Sequence, residues 1–223
     1  MARLVGFIAN RPDLCNRFAA YEERSLRFRG ADDQPWGWGV GFFQGGEILL
    51  KRRPLDEKHE LSVGEMIADV RSDVILTHIR RATVGALRTS NTHPFRYRQW
   101  LFASTGTVSG FGELRTKLHK SLPSFLQRSV RGDTDSELLF HLFLSFVHDA
   151  GQLDRPVVPP EAAQPPLQKA LALLERLSKK EGQEEAARLN VLLATPDYLL
   201  ASHRGTKMAY CSLAGREAFE PMF

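Results

Sequence analysis

The chain has 223 residues, 43% hydrophobic and 25% charged, an ordinary globular usage that excludes general disorder, a fibrous repeat and a coiled coil. Its formal net charge of +4, from 30 Lys plus Arg against 26 Asp plus Glu, is a modest excess that solubility alone accounts for. No stretch approaches the roughly 18 apolar residues of a membrane helix, the opening residues lack a signal peptide's apolar core, and Cys15 and Cys211 are too few for a disulfide framework or a cysteine metal cluster, so a soluble cytoplasmic protein without membrane association is expected.

Leu4 to Ala9 is a short apolar run ended by Asn10-Arg11-Pro12 and predicts a buried strand at the N-terminus. Trp36 to Phe43 and Glu47 to Leu50, joined by Gly45-Gly46, predict a hairpin. Leu61 to Val70 predicts a short helix, and the β-branched run from Val74 to Ile79 predicts a strand that delivers Arg80 to its end. Trp100 to Ala103 reads as a strand before the polar turn Ser104-Thr105-Gly106-Thr107.

Leu114 to Arg128 predicts a helix broken near Pro123, and Asp135 to His148 a long apolar helix whose acidic start suits the helix dipole. Pro156, Pro159, Pro160, Pro165 and Pro166 predict a loop or insertion over 151–166, followed by an amphipathic helix from Leu167 to Leu177. Glu184 to Leu189 continues the helical pattern. Leu189 to Thr195, Tyr198 to Ser202 and Lys207 to Cys211 read as closing strands, with turns at Pro196-Asp197 and Arg204-Gly205. Strands at both ends around central helices imply one layered domain over 1–223.

The densest basic groups, Lys51-Arg52-Arg53 and the arginines from Arg80 to Arg98, carry no finger, basic helix or paired stacking motif, so nucleic-acid binding is not expected. His78 and His93 lack a third ligand at convincing spacing, and no metal is expected. The glycines from Gly37 to Gly41 do not form a dinucleotide fingerprint, and no cofactor is expected.

Taken in order, the segments resemble the class II glutamine amidotransferases, and most closely their short, stand-alone bacterial type. His78-Ile79-Arg80-Arg81-Ala82-Thr83-Val84-Gly85 matches the family's His-x-Arg-x-Ala-Thr-x-Gly at every fixed position. Asn91-Thr92-His93-Pro94-Phe95 is similar to Asn-x-His-Pro-Phe, and Thr134-Asp135-Ser136-Glu137 to the family's Thr-Asp-Ser-Glu. The resemblance implies an α+β fold, the four-layer αββα sandwich of the N-terminal-nucleophile hydrolases. It also implies that Arg80 and Thr83 hold the carboxylate of glutamine and Asp135 its α-amine, by bidentate and charge-assisted contacts.

Three positions depart from the family pattern. The nucleophilic cysteine that follows the initiator methionine is replaced by Ala2, whose methyl group has no lone pair to attack an amide. The oxyanion-hole sequence His-Asn-Gly becomes Ser104-Thr105-Gly106, so Gly106 keeps a backbone donor while Thr105 offers only a shorter hydroxyl. Trp36 stands where the family has aspartate.

The expected protein is a degenerate glutaminase-like domain that keeps part of an α-amino-acid pocket for glutamine or a γ-glutamyl small molecule. The alternatives are an active amidotransferase or γ-glutamyl amide hydrolase with a non-standard nucleophile, and an interaction domain with a vestigial pocket that meets a protein partner or a second copy of itself. Asp135 has a second reading as part of a helix cap, compatible with the first if Thr134 caps and Asp135 points inward. His78 and His93 read as structural, and the aromatic residues of the hairpin as core packing.

Overall fold

A computed structural model of the chain describes residues 2–14, 37–54, 63–81, 83–180, 189–204 and 207–214. Trp36, Cys15, Ala82, Glu184 and Gly205, all named above, lie outside these residues. Among the described residues eight strands form two antiparallel four-stranded sheets. The first sheet has the order β1 (Arg3–Ile8), β4 (Val74–Arg80), β2 (Gly37–Gln44) and β3 (Glu47–Pro54). The second runs β5 (Phe95–Tyr97), β6 (Trp100–Thr105), β7 (Asn190–Ala194) and β8 (Leu199–His203).

The period-2 alternation of each strand assigns its side chains to layers. Leu76 of β4, Ile48 of β3, Leu101 and Ala103 of β6 and Leu192 of β7 meet between the sheets. Ile75 and Ile79 of β4, with Val40 and Phe42 of β2, face the other way, against the short helix α1 (Val63–Ile67). On the far side of the second sheet, Trp100 and Phe102 pack into the largest core, with α2 (Phe111–Ser121), α4 (Asp135–Asp149) and α5 (Pro160–Lys180). The result is the expected αββα sandwich. Phe102 stacks on Phe140 of α4 at 5.1 Å, and Trp100 meets Phe143 edge-on at the same distance.

The sheets approach closely because small residues line the inner face of the first. A Cβ at Gly41 would stand 2.8 Å from the Leu101 side chain, and one at Gly39 would fall 1.9 Å from the His93 carbonyl oxygen. Gly39 thus lets the 93–94 segment run directly beneath β2.

Three boundaries differ from the sequence expectation. Helix α5 begins at Pro160, so residues 160–166 are helical rather than part of a proline-rich loop. Buried Ala163, Leu167, Ala170, Leu171 and Leu174 form a stripe at helical spacing, and its burial outweighs the two N–H groups that Pro165 and Pro166 withhold. Residues 207–211, expected as a strand, have no regular structure, and Tyr210 is 97% exposed. Met208 alone of this segment packs against the core, and a single partly buried side chain does not supply the packing that sustains a strand. Phe95–Tyr97 is a strand that the sequence did not announce. The helix over 114–128 divides as expected at Pro123, into α2 and α3 (Ser124–Gln127).

Candidate functional site

The strand register brings most of the singled-out residues to one end of the sandwich. Arg3 pairs with Ile79 and Gly37 with Arg80, so continuing β1 by one residue sets Ala2 opposite Arg80. Leu101 lies under Gly41, the partner of Leu76, while the Ser104 backbone meets His78. Strands β6 and β4 therefore run toward the same end, and Thr105 and Gly106 emerge beside Arg80. Gly106 has φ 107, a conformation that favours glycine. The Thr83 and Thr107 hydroxyls are 2.8 Å apart and join the loop after β4 to the loop after β6.

Arg80 is only 4% exposed. Its guanidinium donates to the carbonyls of Val84 at 2.7 Å, Gly85 at 3.1 Å and Ala86 at 3.3 Å, folding the loop back over the strand end. Burial lowers its pKa, while the nearby carboxylates of Asp133 and Asp135 support its charge.

Asp135 is the first residue of α4. Its Oδ2 accepts from the Val108 N–H at 2.8 Å and its Oδ1 from the Ser136 N–H at 2.8 Å. Burial raises its pKa and these hydrogen bonds pull it back. Thr134 is the N-cap of α4, its hydroxyl accepting from the Glu137 N–H at 3.2 Å, so the cap and the inward carboxylate belong to neighbouring residues.

Two residues with large structural roles, Asn91 and Glu137, were not singled out for them in the sequence. Asn91, fully buried, donates from Nδ2 to the Ala86 carbonyl and to Asp133 Oδ1, and accepts at Oδ1 from the Asp133 N–H at 2.9 Å. It thereby fixes the loop after β4 to the segment before α4. Glu137 accepts from the Arg131 and Gly132 N–H groups at 2.8 and 2.6 Å and closes that segment. Both lie within matched motifs, but their partners are distant or local to the backbone, which no residue pattern records.

His78 and His93 sit side by side between the sheets, ring centroids 4.2 Å apart, with no hydrogen-bond partner of good geometry at any ring nitrogen. Burial, reinforced by the Arg80 charge and only partly offset by the Ser104 backbone, pushes the His78 pKa down to about 3. Burial, with His78, Arg80 and Arg52 adding to it, likewise holds His93 well below its ordinary value. Both rings are neutral at pH 7. Among the described residues no three His, Cys, Asp or Glu side chains gather as metal ligands, and no helix is long and apolar enough to cross a membrane.

The family profile of the class II glutamine amidotransferases matches residues 1–217. The chain is 30% identical over 123 residues to the probable glutamine amidotransferase DUG3 of Saccharomyces cerevisiae, covering 52% of this chain and 34% of that protein. It is 29% identical over 147 residues to the putative glutamine amidotransferase YafJ of Escherichia coli, covering 63% and 52% respectively. The chain thus spans between about a third and a half of the length of these relatives. A solved structure of a glutamine aminotransferase class-II domain protein from Silicibacter pomeroyi superposes with a TM-score of 0.57 at 25% identity, covering 77% of this chain and 72% of that one. With two packed four-stranded sheets and a profile match along nearly its whole length, the chain belongs to the class II glutamine amidotransferases.

Proposed function

We propose that this protein is a degenerate glutaminase-like domain that recognises an α-amino acid, glutamine or a γ-glutamyl compound, and does not hydrolyse glutamine by the family's thiol route. The observation that carries this reading is Ala2, which stands in the sequence where the family resemblance calls for a cysteine and directly precedes Arg3, the partner of Ile79. Attack on an amide needs an electron pair on the second residue, and a methyl group has none. Thr105 in place of an oxyanion-hole asparagine weakens a second requirement of the same reaction.

Recognition is assigned to Arg80, Thr83 and Asp135. A carboxylate entering beside Arg80 meets a permanent cation in a poorly solvated place, and an ammonium group meets Asp135 with Asp133 close by. Arg80 already bonds the carbonyls of residues 84–86 and Asp135 two backbone N–H groups, so both charges are pre-oriented, and the ligand adds to these contacts or displaces them.

Isothermal titration with L-glutamine, and ammonia release assayed on the same sample, tests the proposal. Binding that an Arg80→Ala variant loses, with no ammonia from either protein, is the expected outcome. Ammonia from the native chain above the Arg80→Ala background overturns it, and absence of binding removes the amino-acid pocket.

A further inference from the structure

Thr107 joins the two halves of the site. Its hydroxyl lies 2.8 Å from that of Thr83, on the loop after β4, and the next residue, Val108, gives its backbone N–H to Asp135 Oδ2 at 2.8 Å. The hydroxyl pair is not what fastens these loops. The loop after β4 is held by the Arg80 bonds to the carbonyls of Val84, Gly85 and Ala86, and by Asn91. The loop after β6 is held at Thr105, paired with Asn190 of β7, and at buried Val108 through its bond to Asp135. Thr83 is exposed and Thr107 partly so, and a hydroxyl bond open to water adds little to stability. Two loops fixed by other means therefore present a polar pair to solvent at their junction.

A threonine hydroxyl carries one hydrogen and two lone pairs, so the bond between the two leaves a single O–H to give, from either residue. A ligand decides which. A carboxylate on the Thr83 side is a strong acceptor and draws the Thr83 hydrogen to itself. Thr107 then keeps the pair by donating to Thr83, and what it turns outward is lone pairs, which suit an N–H donor.

The ammonium group of an amino acid has three N–H groups to place, and Asp135 does not have room for all of them. Its Oδ1 accepts from the Ser136 N–H at 2.8 Å and from the Ser136 hydroxyl at 3.4 Å. Its Oδ2 accepts from the Val108 N–H, which leaves that carboxylate one lone pair. A further acceptor is needed, and Thr107 stands next to Val108 in the chain.

We infer that Thr107 is a ligand-binding residue that reads the α-ammonium group, so that the site selects free α-amino acids over compounds lacking the amine. This rests on the amino-acid reading of the pocket. The ammonium and carboxylate are borne by one carbon, so a ligand seated on Thr83 brings its ammonium to the adjoining hydroxyl. The hydrogen bonds then run in one direction, from ammonium to Thr107, from Thr107 to Thr83 and from Thr83 to carboxylate, each polarising the next.

The test uses the full chain with L-glutamine and with glutaramate, which is glutamine without its α-amine, in ligand-observed NMR titrations that reach weak affinities. Native protein, Thr107→Val and Thr107→Ser are compared, with melting curves to show that the variants are folded. Valine keeps the branched shape and removes the hydroxyl; it should weaken L-glutamine roughly ten-fold and glutaramate less than about two-fold. Serine restores the hydroxyl and should hold L-glutamine within about three-fold of the native affinity.

An equal loss for both ligands in Thr107→Val marks the residue as a loop support and overturns the inference, leaving the pocket standing. An unchanged L-glutamine affinity in Thr107→Val overturns it too, as does a Thr107→Ser protein no better than Thr107→Val. No binding of L-glutamine by the native chain removes the pocket and the relay together.

Discussion

Lowering the pH from 7.5 to 5 should destabilise the fold through its buried imidazoles. In the unfolded chain a histidine titrates near 6.5, whereas His78 is pushed down to about 3 and His93 also lies well below its ordinary value. Below about pH 6.5 the unfolded chain binds protons that the folded chain refuses, so stability present at neutral pH is lost as pH falls toward 3. At 1.36 kcal/mol per unit, His78 alone removes about 2 kcal/mol at pH 5, a large share of the stability of an ordinary domain. His93 acts in the same direction, and His141, lowered chiefly by burial, adds to it. The positive charges of Arg80 and Arg52 face the pair and oppose its protonation. Asp135 and Glu137, raised by burial, act with the opposite sign, since the folded chain takes up their protons first. Urea unfolding followed by circular dichroism at pH 7.5, 6 and 5 reads the effect directly. His78→Asn, which keeps a polar side chain and removes one titration, should flatten the decline by about 2 kcal/mol. A native chain whose unfolding free energy changes by less than about 0.5 kcal/mol over this range, or a variant with the native profile, refutes the reasoning.

Gly39→Ala forces a methyl group onto the His93 carbonyl, backbone against backbone, and should cost about 3 kcal/mol or more in urea unfolding. Asn91→Ala leaves the Ala86 carbonyl and the Asp133 N–H without their partner inside the protein and should cost about 2 to 4 kcal/mol, with increased hydrogen exchange over residues 83–88. Ala2→Cys alone should give little ammonia from glutamine even with the initiator methionine removed, and adding Thr105→Asn should raise release by roughly 100-fold, the usual worth of one oxyanion donor. Rapid turnover by the single variant would show that Thr105 is no handicap.

The strands were legible wherever an apolar run was bounded by glycine, proline or a polar turn, as at Val74–Arg80 and in the Gly45-Gly46 hairpin. Phe95–Tyr97 escaped because three residues hold no period, and its strand character comes from pairing with β6. The start of α5 was misread because proline punctuates a sequence more loudly than a buried stripe does, although burial decides the structure. Of the residues the sequence named, Arg80 has Asp135 close by, and Thr83 and Asp135 each bond the loop after β6 that begins at Gly106. What they did not convey is the tie from Asn91 to Asp133, made by two side chains 42 positions apart, or the use of the Arg80 guanidinium on its own loop. Such contacts depend on how a loop closes, and neither periodicity nor spacing encodes that.

The polar ties at this end of the sandwich also bear on how its sequence can drift. Arg80, Asn91, Asp135 and Glu137 each satisfy backbone groups that would otherwise be left unpaired where the loops close. Losing any of them carries a folding penalty whether or not a ligand ever binds. A chain without chemistry at residue 2 would therefore still lose folding stability if these residues were replaced. Their presence marks how the sheet end is closed, and the second residue can change identity without loosening it.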